Sequence, residues 1–181
     1  MRRSRISLDR IRQRDIDTVI GIDEKVFPNP WGRKLLMGDV DHSRPGVHLV
    51  LRRGRTVMGH GSVLYLDDDG HIGVMAVDPD EQGLGYASVI LLGLMREARA
   101  AGCAAMTLEV RSSNHRAQAL YSRFGFAPVG IRPKYYDDPN GRVDAIIMWL
   151  HELASHDVEM RLVGIEDALA ISRPATLGVA S

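Results

Sequence analysis

The segment from Ala105 to Val110 alternates strictly, with Met106, Leu108 and Val110 apolar and Thr107 and Glu109 polar. That period predicts a strand with one buried face and Glu109 on the other. Upstream, Ile16, Val19, Ile20 and Ile22 recur at helical spacing and predict a helix over Asp15–Val26, ending before Phe27-Pro28. Pro28 to Gly46 reads as loop with one short helix around Arg33–Gly38. Three strands follow, at Val47–Leu51, Val57–Leu66 and His71–Val77, divided by Arg53-Gly54 and Asp67–Gly70, which predicts an antiparallel meander. Ala87, Leu91, Leu94, Met95 and Ala98 place a helix over Gly83–Ala101, closed by Gly102 in the left-handed conformation. Ser113 is the expected cap of a helix carrying Ala117, Leu120, Tyr121 and Phe124, ended by Gly125. Strands at Ala127–Tyr136 and Val143–Leu150, around a turn at Asp137–Arg142, complete the sheet. The order predicts an α/β fold, a mixed sheet with helices on both faces.

Past His151 the pattern weakens. Val158, Leu162, Val163, Ile165 and Leu169 support a short helix or strand packed on the domain, and Ser172–Ser181 is expected to be disordered. The predicted organisation is one domain over residues 1–151 and a C-terminal extension over 152–181. With 181 residues and 45% apolar content, the chain can bury one good core. Its 23 basic and 23 acidic residues cancel, so no overall field draws it to nucleic acid or to an anionic membrane. Arg2, Arg3, Arg5, Arg10, Arg12 and Arg14 make the N-terminus basic, but no aromatic residues interleave and a solvated arm is expected. A single cysteine, Cys103, excludes an internal disulfide and a cysteine-based metal cage, and the histidines lack paired ligand spacing, so no metal is expected. No apolar run reaches membrane-spanning length and no signal-peptide stretch opens the chain, which predicts a cytoplasmic protein.

The chemistry concentrates in Val74 to Ala87, VMAVDPDEQGLGYA, where a buried strand breaks at Asp78-Pro79 and Gln82-Gly83-Leu84-Gly85 leads into a helix. Amides at a helix start favour an anion, and glycines let the main chain approach a pyrophosphate closely. The spacing of Gln82, Gly85 and Ala87 resembles motif A of the GNAT superfamily, the GCN5-related N-acetyltransferases. Leu108 to Phe126, LEVRSSNHRAQALYSRFGF, and Arg132 to Leu150, RPKYYDDPNGRVDAIIMWL, extend the likeness to the RimI type, which acetylates the N-terminal alanine of a ribosomal protein. The likeness is dense from Ile72 to Leu150, loose in the N-terminal third at Glu24, Phe27, Pro30 and Trp31, and silent on the last thirty residues.

The resemblance implies the GNAT fold, with a mostly antiparallel sheet of six or seven strands. It also implies acetyl-CoA as co-substrate and a protein or peptide N-terminus, such as that of a ribosomal protein, as acceptor; the chain is expected to act as a monomer or homodimer. It gives Glu109 as proton acceptor and Tyr121 as proton donor. Backbone at Met75, Ala76 and Val77, the turn Gln82, Gly83, Leu84, Gly85, Tyr86 and Ala87, and Asn114 would hold the cofactor. Phe27, Trp31, Tyr135, Tyr136 and Asp144 would meet the acceptor. On the residues alone, other roles stay open: Glu109 paired with Arg111 or Arg116, Tyr121 as core, Asn114 as a second cap beside Ser113, Trp31 as a plug at the sheet edge. Leu84 stands where the family commonly has a basic residue, Glu81 where it has an aromatic and Val143 where it has an acid, so a modestly weaker cofactor affinity is expected and the acceptor preference is left open. Acetylation of a small amine or a lysine, or a non-catalytic binding module, are the alternatives.

Overall fold

A computed structural model describes residues 6–169; the expected disorder at Ser172–Ser181 and Arg2, Arg3 and Arg5 lie outside the described residues. Strands β1 (Ile6–Arg10), β2 (Gly46–Arg53), β3 (Thr56–Leu66), β4 (Asp69–Val77), β5 (Ala105–Arg111), β6 (Ala127–Asp138) and β7 (Gly141–Leu150) form one sheet in the order β1-β2-β3-β4-β5-β7-β6. Helices are α1 (Ile16–Val26), α2 (Arg33–Val40), α3 (Tyr86–Ala100), α4 (His115–Arg123) and α5 (His156–Ala168). All neighbouring strands run antiparallel except β4 and β5.

Alternation along β2 shows how the core divides. Val47, Leu49 and Leu51 join the cluster under α3, whereas Val50 joins the smaller one with Ile16, Val19 and Ile22 of α1 and Leu36 of α2. Successive strand side chains point to opposite faces, so these helices cover both sides of the sheet.

The expected solvated N-terminal arm is corrected in part. Ile6–Arg10 is the edge strand β1, in register with β2 from Ile6 opposite Arg53 to Arg10 opposite Leu49. Its arginine-rich composition hid a period-two pattern, and Arg10 is held by Glu97 of α3 at 2.8 Å. The motif helix begins three residues later than expected, because Gly83 and Gly85 both sit at positive φ, 84° and 81°, and keep the turn out of helical geometry. The cap of α4 is Asn114, not Ser113: its side chain accepts the Ala117 N–H at 3.0 Å.

The extension past His151 forms α5 on α3. Val158, Leu162 and Ile165 enter the main core, and Arg96 reaches Glu159 at 2.7 Å and Glu166 at 3.3 Å. This helix ends against the glycine turn, where a Cβ added to Gly85 would lie 3.3 Å from Leu169 Cδ2.

Between the sheet and the α1–α2 layer runs a buried polar chain. Asp39 Oδ2 meets His48 Nδ1 at 2.8 Å, His48 Nε2 meets His60 Nδ1 at 2.9 Å, and His60 Nε2 meets Asp23 Oδ1 at 2.9 Å. Three links need three protons. Burial pushes the His48 imidazole below its ordinary range; its bond to Asp39 opposes this and the neighbouring His60 adds to it. Neutral His48 then donates to Asp39 and accepts from His60, which leaves the third proton between His60 and Asp23. Asp39 has Arg44 on its other oxygen at 3.1 Å, whereas Asp23 Oδ2 has no partner among the described residues.

Candidate active site

The parallel pairing of β4 with β5 covers only Asp69–His71 against Ala105–Thr107. Beyond it β4 continues along β3 to Val77 and β5 along β7 to Arg111, so the two strands part and leave a wedge in the sheet. A cleft of about 320 Å³ opens there, lined by Met75, Ala76, Val77, Gln82, Gly83, Gly85, Tyr86, Ala87, Asn114 and Tyr121, all expected, and by Phe27 from the end of α1. Its volume is in the range of small-molecule sites. Val26, Glu81, Ser88, Arg116, Ala117 and Leu120 also line it and were not expected.

The turn fits a pyrophosphate. The first helical bonds of α3 run from Ser88 and Val89 to the Gly85 carbonyl at 3.0 and 3.3 Å, so the amides before them face outward without intrahelical partners. Around Gly83 a Cβ would meet nothing within 4 Å among the described residues, and the positive φ is what calls for glycine there. Gln82 Nε2 donates to the Val77 carbonyl at 3.1 Å and ties the turn to the strand end. Leu84 lies 60% exposed, outside the cleft lining.

Charge at the mouth answers the departures from the family pattern. Arg53 grips Glu81 with two bonds, 3.0 and 2.8 Å, and donates to the Tyr86 hydroxyl at 2.7 Å, which cancels the carboxylate beside the cleft. Arg116, at the start of α4, approaches Gln82 Oε1 at 3.5 Å and supplies a cation at the turn. Arg53→Ala uncovers Glu81 and is expected to weaken acetyl-CoA binding modestly, up to roughly fivefold in Kd. Adding Glu81→Ala restores it; calorimetric titration of the single and double variants checks both steps.

Tyr121 is 8% exposed, packs edge-on to Phe126 at 5.9 Å and still lines the cleft. Core packing and cleft lining therefore coexist. Burial, with a smaller contribution from Tyr136, pushes its phenol well above the ordinary value, so it stays protonated near neutrality.

Glu109 does lie on the face opposite Met106, Leu108 and Val110, as the alternation predicts. Its partners differ from those expected. Neither Arg111 nor Arg116 holds it: Arg132 Nε reaches Oε1 at 3.0 Å and His71 Nε2 reaches Oε2 at 3.3 Å, with the carboxylate side chain 7% exposed. Glu109 does not line the cleft but stands just past the last β4–β5 pair. Beside it, Tyr136 donates its hydroxyl to the Glu109 carbonyl at 2.9 Å and faces Arg111 at 4.7 Å, and burial pushes its phenol up to about 12. Tyr135 is 43% exposed under Arg132.

A bulge aims these two tyrosines. Arg132 pairs with Ala145 and Tyr136 with Val143, so Pro133, Lys134 and Tyr135 stand against Asp144 alone. Lys134, at φ 52°, donates its N–H to Asp144 Oδ1 at 2.8 Å. Asp144 thus shapes the strand that carries the tyrosines. Trp31 is not at a sheet edge: its ring covers Gly73 of the interior strand β4, where a Cβ would come within 2.9 Å of Cη2, and Arg44 lies over the ring at 5.2 Å.

The profile of the acetyltransferase (GNAT) family matches residues 16–126. The [ribosomal protein bS18]-alanine N-acetyltransferase of Escherichia coli is 32% identical over 136 residues, 75% of this chain and 90% of its own length. A Bacillus subtilis protein, "Putative [ribosomal protein bS18]-alanine N-acetyltransferase", is 30% identical over 148 residues, 82% of this chain and 97% of its own. The crystal structure of the Escherichia coli ribosomal-protein-S18-alanine N-acetyltransferase superposes with a TM-score of 0.75 at 29% identity, covering 82% of this chain and 94% of that one. At 20% identity, an acetyltransferase fold from Salmonella typhimurium solved with acetyl-CoA superposes with a TM-score of 0.72, covering 84% and 96%. The wedge, the glycine turn and these likenesses agree: the chain belongs to the acetyltransferase (GNAT) family.

Proposed function

We propose that this acetyltransferase uses acetyl-CoA to acetylate the N-terminal amine of a protein, with an N-terminal alanine, as on a ribosomal protein, the expected acceptor. The observation that carries this reading is the wedge where β4 leaves β5, with Tyr121 in the cleft on one side and Glu109 beside the tyrosines of β6 on the other. The relatives' names, which specify alanine N-acetylation of a ribosomal protein, support the choice of acceptor.

Acetyl-CoA supplies an activated acetyl thioester. Met75, Ala76 and Val77 offer strand backbone beside the wedge, with the edge facing β5 left unpaired, for its pantetheine arm, and the amides of the glycine turn offer donors for its phosphates. A terminal amine has a pKa near ~8 and is mostly protonated at neutrality, so a base must remove its proton before attack. Glu109 takes that proton, directly or through a water. The amine nitrogen bonds to the acetyl carbon, the carbon–sulfur bond breaks, and the Tyr121 hydroxyl gives its proton to the departing thiolate. Tyr135 and Tyr136, projected by the bulge, flank the acceptor backbone.

Release of free CoA in the presence of peptides tests the reading. Release is expected with a free N-terminal alanine and absent with an N-terminally blocked, lysine-containing control. Release with the blocked control alone would reassign the acceptor to a side-chain amine.

A further inference from the structure

Both oxygens of Glu109 carry a cationic or potentially cationic partner, and the two partners are unlike. Arg132, at Oε1, keeps its charge at every accessible pH. His71, at Oε2, presents a single ring nitrogen, Nε2, at 3.3 Å. The geometry follows from register: His71 pairs with Thr107, the last β4–β5 pair, and Glu109 is two residues further along the same face of β5, a diagonal neighbour. The His71 side chain is 24% exposed, so the ring links a nearly buried carboxylate to solvent. The charged groups facing it are Glu109 from β5 and, beyond it, Arg132 from β6; opposite it on β3 stands Leu64 and on β5 Thr107.

We propose that His71 is a positioning residue for Glu109: its ring, with Nε2 3.3 Å from Oε2, holds the carboxylate in the orientation from which it takes the amine proton. The inference rests on the proposed role of Glu109. Arg132 meets Oε1 from the β6 side and His71 meets Oε2 from the β4 side, so removing the ring frees the carboxylate to swing about its Arg132 contact. A misplaced base costs rate rather than cofactor affinity.

The test separates kcat from KM in His71 variants with a free N-terminal alanine peptide. His71→Ala is expected to lower kcat about tenfold or more while KM for acetyl-CoA is unchanged. His71→Gln, whose amide nitrogen can reach the place of the ring Nε2, is expected to recover most of that loss, whereas the shorter His71→Asn is not. A merely structural histidine would show no such split between kcat and KM and no rescue by Gln over Asn. The inference is overturned if His71→Ala keeps the wild-type kcat, or if His71→Gln is as impaired as His71→Asn. Full activity in Glu109→Gln would instead remove the assignment of the base itself.

Discussion

Glu109→Gln is expected to lower kcat by about 10²–10⁴-fold with KM for acetyl-CoA nearly unchanged, because proton removal by a positioned group contributes on that scale. The substitution preserves volume beside Arg132 and His71, which sit at 3.0 and 3.3 Å from the two carboxylate oxygens. It removes the charge and the capacity to accept the amine proton. Acetyl-CoA is expected to be held by the glycine turn and the cleft, none of which includes Glu109, so its affinity measured by titration should hold. Steady-state kinetics with a peptide acceptor separate the two effects. A drop in acetyl-CoA affinity with an intact kcat would place Glu109 in binding instead.

The second large effect concerns stability. Among the described residues, His60→Leu leaves Asp23, fully buried, with no partner on either carboxylate oxygen, and leaves His48 Nε2 without a donor. Breaking a buried charged pair by removing one member costs about 3–5 kcal/mol, chiefly through the stranded charge. Replacing both members costs less, so Asp23→Leu added to His60→Leu should recover part of the loss; urea-unfolding midpoints compare the three proteins. The chain also makes stability pH-dependent. Burial lowers the folded His48 value, so the unfolded chain binds its proton first, near ~6.5, as pH falls. The contribution of neutral His48 is complete above that pH and is lost below it, as pH falls toward the depressed folded value. Unfolding midpoints should be level between pH 7 and 8 and decline below about 6.5.

Much of this was legible in the chain because local pattern and global fold agree. The alternation of Ala105–Val110 put Glu109 on the open face, and the glycines before Tyr86 marked the phosphate turn. Residues failed to announce themselves where their roles depend on register between distant strands. His71 meets Glu109 only because β4 pairs β5 for three residues before diverging, and Arg132 arrives from β6 across β7. No spacing within one segment encodes either. The buried Asp23 showed one sign in advance, a place on the apolar stripe of α1, but its partners come from β3 and, through it, β2 and α2. Arg53 was invisible for a similar reason: it neutralises Glu81 from 28 residues away. At β1, an arginine-rich composition masked strand alternation that only pairing with β2 reveals.

The central claim is that the acceptor is a protein N-terminus. Its most direct test is to incubate the protein with acetyl-CoA and a peptide that carries both an N-terminal alanine and an internal lysine, and to locate the acetyl group by fragmentation mass spectrometry. The account predicts acetyl on the α-amine, absent when Glu109→Gln replaces the wild type. Acetyl on the lysine, or an unmodified peptide from protein that binds acetyl-CoA, would contradict it.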